Sequence, residues 1–227
     1  MKKQILLEHI NRKEVLRYLG YKGIDADDTV NALIDECEAE VIKAAVPRYT
    51  YRVIGVTQAD TGVELEGTGL ILKGSSIKEH LKGCDRAALI AVTLSEGIDR
   101  MLRIMQASDL ARAVVADSLA SAGIEQVCDK LEAIIKEELP EYNQTFRFGI
   151  GYGDLPLAQQ GDFLKVLNAP RLIGLNVGKT YMMTPTKSVT AVIGLTTGEV
   201  SARNKGCMSC NLRGTCSFRE SGGHCNG

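Results

Sequence analysis

No stretch of this chain stays apolar for anything near the ~20 residues that a membrane-spanning helix needs. Charge of one sign is equally lacking. Its 227 residues carry 27 Lys and Arg against 28 Asp and Glu, so nothing global draws it to nucleic acid or an anionic membrane. The first residues, Met1-Lys2-Lys3-Gln4-Ile5-Leu6-Leu7-Glu8-His9, begin like a signal peptide but turn charged after three apolar positions, which leaves no secretory core. The expected location is the cytoplasm. There is no internal repeat and no linker before residue 197. Ser/His/Asp and paired-carboxylate signatures are also missing, so no residue is singled out as a catalytic acid, base or nucleophile.

What is present suits a soluble globular protein with a real core: 44% of residues are hydrophobic and 24% charged. Seven cysteines divide into two groups. Cys37, Cys84 and Cys128 are scattered through apolar patterns and read as small buried hydrophobes. Cys207, Cys210, Cys216 and Cys225 crowd into the last 21 residues, as Cys-x2-Cys-x5-Cys-x8-Cys. Four thiolates suffice for tetrahedral zinc or an iron–sulfur cluster, and His224 could replace one ligand. Free or disulfide-linked thiols are the third option. Arg203, Lys205, Arg213 and Arg219 would offset the charge of a four-thiolate site.

Periodicity and punctuation give the elements. Asn11 followed by Glu14 reads as a capping box opening a helix over 11–19, which Gly20 stops. A second helix is expected over 25–46, with Asp25, Asp27 and Asp28 at its positive start and Pro47 at its end. Strands are expected at 49–53, 63–65 and 69–72, then a short helix capped by Ser75 or Ser76 and running to Leu81. The uniformly apolar stretch 87–94 reads as a strand covered on both faces. Ser95-Glu96 opens a helix to about Gln106. Ser108-Asp109 caps a much longer one reaching Glu138, with Leu110, Ala113, Val114, Ile124, Val127, Leu131 and Ile134 as its apolar stripe. Asp117, Ser121 and Glu125 form one polar row on it, for which a plain solvated face is an equal reading. Residues 159–167 have helical spacing, and Pro170 separates them from strands over 172–195. The sum is an α+β fold: a twisted, mainly antiparallel sheet with flanking helices, one of them long. The expected partition is one domain over 1–196 and a Cys-rich tail over 197–227.

The stretch that carries most chemistry opens Arg147-Phe148-Gly149-Ile150-Gly151-Tyr152-Gly153-Asp154. Three glycines in five residues allow backbone geometry that other residues resist, and let a ligand approach the main chain. Arginine offers a fixed fork for a carboxylate or phosphate, and tyrosine a flat face with a polar tip. A structural glycine turn, with Arg147 in a surface ion pair, is the bland alternative.

Read in order, Arg147-x-x-x-Gly151-Tyr152, Phe163-Leu164-x-x-Leu167, Gly174 and Tyr181-Met182-Met183-x-Pro185-x-x-Ser188-Val189 resemble the activation (reactivation) domain of cobalamin-dependent methionine synthase. The likeness extends more loosely to Asp117-Ser118-Leu119-Ala120. Glu14-Val15-Leu16-Arg17-Tyr18-Leu19-Gly20 matches free-standing versions of the domain, and the chain is too short for the other synthase modules. The resemblance implies S-adenosylmethionine binding and reductive methylation of an inactive cob(II)alamin carried by another chain, the corrinoid-binding methionine synthase. An electron donor such as flavodoxin or ferredoxin would be the other partner.

By the same resemblance, Arg147 would grip the ligand carboxylate, Gly149 backbone would hydrogen-bond it, Gly151 would allow the approach and Tyr152 would pack beside it. The family's acidic contact falls at Ser121 here, which leaves Glu125, one turn on, as the nearest substitute. An N-terminal aspartate has no counterpart, and Ser201-Ala202 stands where the family has an aromatic pair. No histidine is placed to ligate cobalt. Whether the chain is itself an enzyme stays open; the resemblance favours the activation component of a methyltransferase in methionine biosynthesis. The alternatives are a non-catalytic S-adenosylmethionine sensor or corrinoid-docking subunit, and an iron–sulfur electron donor that uses the tail.

Overall fold

The computed structural model describes residues 3–21 and 26–199. Its first helix, α1 (Arg12–Tyr18), starts where expected: the Asn11 side chain accepts from the N–H groups of Lys13 and Glu14. The reciprocal half of the capping box does not form. Glu14 turns forward to Arg17 at 2.7 Å, and the Asn11 N–H donates instead to Gln126 Oε1 at 2.7 Å. Helix α2 (Asp28–Ala44) is capped by Asp27 and buries Ile34, Cys37 and Val41.

Three strands follow, β1 (Arg48–Ala59), β2 (Gly62–Leu65) and β3 (Leu70–Lys73), paired antiparallel as β1–β2 and β2–β3. Strand β1 outruns its expected end at Val53 because Ile54 and Val56 continue the inward alternation. Helix α3 (Ser75–His80) leads into β4 (Arg86–Thr93), whose residues from Ala87 onward are all buried. That is the strand covered on both faces that its apolar run predicts. Helices α4 (Glu96–Ser108) and α5 (Leu110–Glu138) come next. Beyond them lie β5 (Asn143–Gln144), β6 (Phe148–Gly149), a 3-10 turn (Leu157–Gln159), α6 (Gln160–Val166) and α7 (Ala169–Ile173). A ribbon of β7 (Asn176–Val177) and β8 (Met183–Thr184) precedes β9 (Ser188–Thr196). The main sheet has the order β3-β2-β1-β4-β9-β5, with β6 also paired to β9. The α+β class with a long helix is therefore as the sequence predicts.

Three further local expectations fail for physical reasons. Neither Ser75 nor Ser76 caps α3: Gly74 holds the N-cap position, and the cap comes from a distant carboxylate described below. Pro170 starts a helix rather than preceding a strand. It sits in the first turn of α7, where a missing N–H costs nothing, and Gly174 at φ 72° closes that helix. Leu110 and Val114 satisfy the helical period of α5 but are 69% and 52% exposed, whereas Ala113, Ile124, Val127, Leu131 and Ile134 are buried.

The chain folds as two compact units, each discontinuous in sequence. One comprises Met1–Thr50, Ala91–Glu137 and Asn168–Val189. Here the extended N-terminal segment lies along α5. Ile5, Leu7 and Ile10 are buried, Lys130 Nζ donates to the Leu6 carbonyl, and Gln126 Nε2 donates to that of His9. The other comprises Tyr51–Ile90, Glu138–Leu167 and Thr190–Gly227, with Leu65, Leu72, Ile77, Leu89 and Phe163 fully buried. Cys37 and Cys128 are buried as expected, and Cys84 is half-buried. No described helix is long and apolar enough to cross a membrane.

Candidate functional site

Alternation fixes the start of the glycine-rich stretch. Phe148 and Ile150 face inward and are 8% exposed each, while Arg147 and Gly149 are half-buried. Strand β6 is tied to β9 with Phe148 opposite Val192 and Gly149 opposite Ala191. The chain then leaves the sheet through a turn in which Tyr152 N–H donates to the Gly149 carbonyl and Leu155 N–H to that of Tyr152, both at 3.0 Å. Gly151 at φ 95° and Gly153 at φ 56° occupy backbone conformations that a side chain would strain. Tyr152 is left 62% exposed, yet held. A Cβ on Gly149 would touch its ring at 3.4 Å, and Phe148 meets it edge-on with centroids 6.1 Å apart. The four predicted residues Arg147, Gly149, Gly151 and Tyr152 thus fall on β6 or beside it and on the turn that follows.

Under this turn lies a residue for which sequence reasoning assigned no role. His80, buried at the end of α3, packs against Phe146 and Phe148 with ring centroids 4.6 and 4.9 Å away. Its Nε2 is 2.9 Å from Thr145 Oγ1, which also accepts from Gly194 N–H on β9 at 2.7 Å. Burial pushes the imidazole down to about 4, against backbone hydrogen bonds at Val192 and Phe146 that favour its charged form. A neutral ring therefore supports the site at neutral pH. The available signal was the spacing Ile77-x-x-His80-Leu81, a histidine on an apolar helix face.

The far end of the turn is fastened to α3. Asp154 accepts from Ser75 Oγ at 2.6 Å, Ser75 N–H at 2.7 Å and Ser76 N–H at 2.8 Å. The Ser75 hydroxyl, then the Ser76 N–H, hold this carboxyl well below the usual carboxylate range. A shallow cleft on the other side of Gly74 and Ser75 is lined by Asp60, Lys78, Glu79 and Lys82. Its lysines are engaged at the Asp60 carbonyl and at Glu79, so it reads as ordinary polar surface.

The motif residues from Gly174 onward belong to the other unit. There the polar row of α5 is not a plain solvated face. Lys187 Nζ lies 2.8 Å from Asp117 Oδ1 and 2.9 Å from Ser121 Oγ, with its side chain only 16% exposed. Its neighbours are fastened too: Thr186 N–H and Oγ1 donate to Asp99, and Ser188 Oγ to Thr93 Oγ1 at 2.8 Å. Above this base the ribbon turn leaves Tyr181 and Met182 45% and 66% exposed, with Tyr181 at φ 62°. Glu125, the fifth predicted contact, is half-buried on the same α5 row and so lies in this unit, not on the Arg147–Asp154 turn.

Against solved structures, the chain matches one described as the MetH reactivation domain bound to AdoHcy (S-adenosylhomocysteine). The TM-score is 0.57 at 16% identity, and the match covers 83% of this chain and 67% of that one. The chain has the fold of the MetH reactivation domain. No protein-family profile and no curated protein matches its sequence. The MetH reactivation-domain fold is thus shared through architecture, at an identity too low to transfer contacts. Cys207, Cys210, Cys216 and Cys225 lie outside the described residues, among which no cluster of His, Cys, Asp or Glu is arranged to hold a metal.

Proposed function

We propose that this chain binds S-adenosylmethionine on the Arg147–Asp154 turn and supports reductive methylation of a corrinoid carried by another chain. The observation that supports this most is the combination of a MetH reactivation-domain fold with Arg147-x-x-x-Gly151-Tyr152 on one strand edge and the exposed turn after it. The residues fit such a ligand. Arg147 offers a charge-assisted grip for its carboxylate. Gly151 has no side chain to block close approach, and a Cβ there would already press on Leu157 at 3.1 Å. Tyr152 presents its ring to solvent beside the glycine backbone. Glu125, the acidic contact that the resemblance implies, belongs to the other unit and is not part of this turn.

The ligand would supply a sulfonium methyl, which an external nucleophile attacks while sulfur keeps the electron pair of the broken bond. This asks the protein for orientation and proximity rather than proton transfer. A site floored by a neutral imidazole and apolar rings suits that demand. The partners would be a corrinoid-binding methionine synthase chain and an electron donor such as flavodoxin or ferredoxin. Residues 1–196 would form the working domain, and the tail cysteines a zinc or iron–sulfur site.

The test is spectroscopic. The chain is mixed with a cob(II)alamin-loaded partner, S-adenosylmethionine and a low-potential reductant, and the visible spectrum is followed. Conversion to methylcobalamin that depends on the chain, and that Arg147→Ala slows at least tenfold, is the expected outcome. Conversion at the same rate without the chain would sink the proposal.

A further inference from the structure

The turn that bears Tyr152 has backbone bonds of its own, Tyr152 N–H to the Gly149 carbonyl and Leu155 N–H to that of Tyr152, but it lies at the surface. Residues 151–154 are exposed, and two of the four are glycines with positive φ, whose conformational freedom is costly to freeze. Further support comes from far away in sequence. Where the turn ends, the Asp154 carboxylate takes three hydrogen bonds from Ser75 and Ser76, 79 and 78 residues earlier. Further along the same side, in the 3-10 turn, the Gln159 amide docks on the outer edge of β3, donating to the Ile71 carbonyl at 2.6 Å and accepting from Lys73 N–H at 2.8 Å. Strand β3 ends the order of the main sheet, so this amide pairs with an edge strand.

The approach is built on both sides. A Cβ on Gly74 would lie 2.6 Å from Asp154 Oδ1, so only glycine admits the carboxylate here. The serines that could have capped α3 locally do not: the Ser75 hydroxyl donates to Asp154. The arrangement makes sense as a way to fix the turn.

We propose that Asp154 and Gln159 are positioning residues: together they clamp the Gly151–Gly153 turn to the β3–α3 corner and so hold Tyr152 ready for a ligand. The ligand part rests on the reading of the turn given above; the clamp does not. Neither side chain need touch the ligand, and substitutions at residues 74–76 should weaken binding from a distance.

The chain has no tryptophan, so Tyr152→Trp places a single indole reporter on the turn. In that background Asp154→Ala and Gln159→Ala should each lower the anisotropy of the indole and raise its quenching by acrylamide. Asp154→Asn, which keeps one acceptor oxygen, should give a smaller change. Far-UV circular dichroism and thermal melts report whether each variant is folded. If Asp154→Ala does not fold, Ser75→Ala, which removes one donor, should still loosen the indole in the same direction. Calorimetry with S-adenosylhomocysteine on the Tyr152 protein should show about a tenfold loss of affinity for Asp154→Ala. Folded variants whose indole is as restrained as the parent's would overturn the clamp. A loosened indole in a protein whose parent does not bind S-adenosylhomocysteine would leave the clamp standing and overturn the ligand reading instead.

Discussion

A buried imidazole between two phenylalanines is a poor place for a positive charge, and His80 occupies one. Its folded value of about 4 lies below the ordinary 6.5, so between those values the unfolded chain takes up a proton that the folded chain does not. Above pH 6.5 both states are neutral and nothing is lost. As pH falls from 6.5 towards 4, stability falls with it, by up to roughly 3 kcal/mol. Nuclear magnetic resonance should find the His80 ring neutral at pH 5.5, and urea midpoints should drop from pH 7 to pH 5. Titration of His80 near 6.5 would contradict the burial argument. Legibility at this scale was uneven. Asn11 was readable as a cap because its bonds are local. The destination of the Glu14 side chain, and the carboxylate that caps α3, were not, because they depend on Arg17 competing nearby and on Asp154 arriving from 79 residues away.

Among the elements, α5 shows what a period can and cannot say. The 3.6 repeat marks a helix to Glu138 and places Ala113, Ile124, Val127, Leu131 and Ile134 in the interior. It cannot say where along the helix cover runs out, which is why Leu110 and Val114, near its start, lie in solvent. Nor could it distinguish a solvated polar row from one answered by a cation. That cation, Lys187, comes from the residue just before β9, a tertiary contact that no local pattern encodes. Lys187→Met should lower stability by about 1 kcal/mol. The figure is modest because Asp117, at 51% exposed, can recover hydration once its partner is gone. A double-mutant cycle with Asp117→Asn in urea denaturation would measure the coupling. A coupling of zero would mean that the pair merely coexists.

For the whole molecule, strand alternation, helix periods and glycine–proline punctuation were enough to reach the α+β class, and a motif order spread over some forty residues pointed to the fold that the structural comparison then showed. The site was legible only in part. Arg147, Gly149, Gly151 and Tyr152 announced themselves by being close in sequence. His80 joins them only through pairings between distant segments, and the partners that hold Asp154 and Gln159 are equally distant; nothing in the sequence alone reports those. The tail makes a separate prediction. Anaerobically purified protein should carry either the visible absorption of an iron–sulfur cluster or one bound zinc, and replacing Cys207 and Cys210 by Ser should remove it. Colourless, metal-free protein would rule out both. The central claim, that the Arg147–Asp154 turn is a ligand site, is tested most directly by calorimetric titration of the chain with S-adenosylhomocysteine. The proposed reading predicts one saturable site whose affinity falls at least tenfold in Arg147→Ala while the tail's metal content stays the same. No binding by the folded wild-type chain, or equal binding by Arg147→Ala, would contradict it.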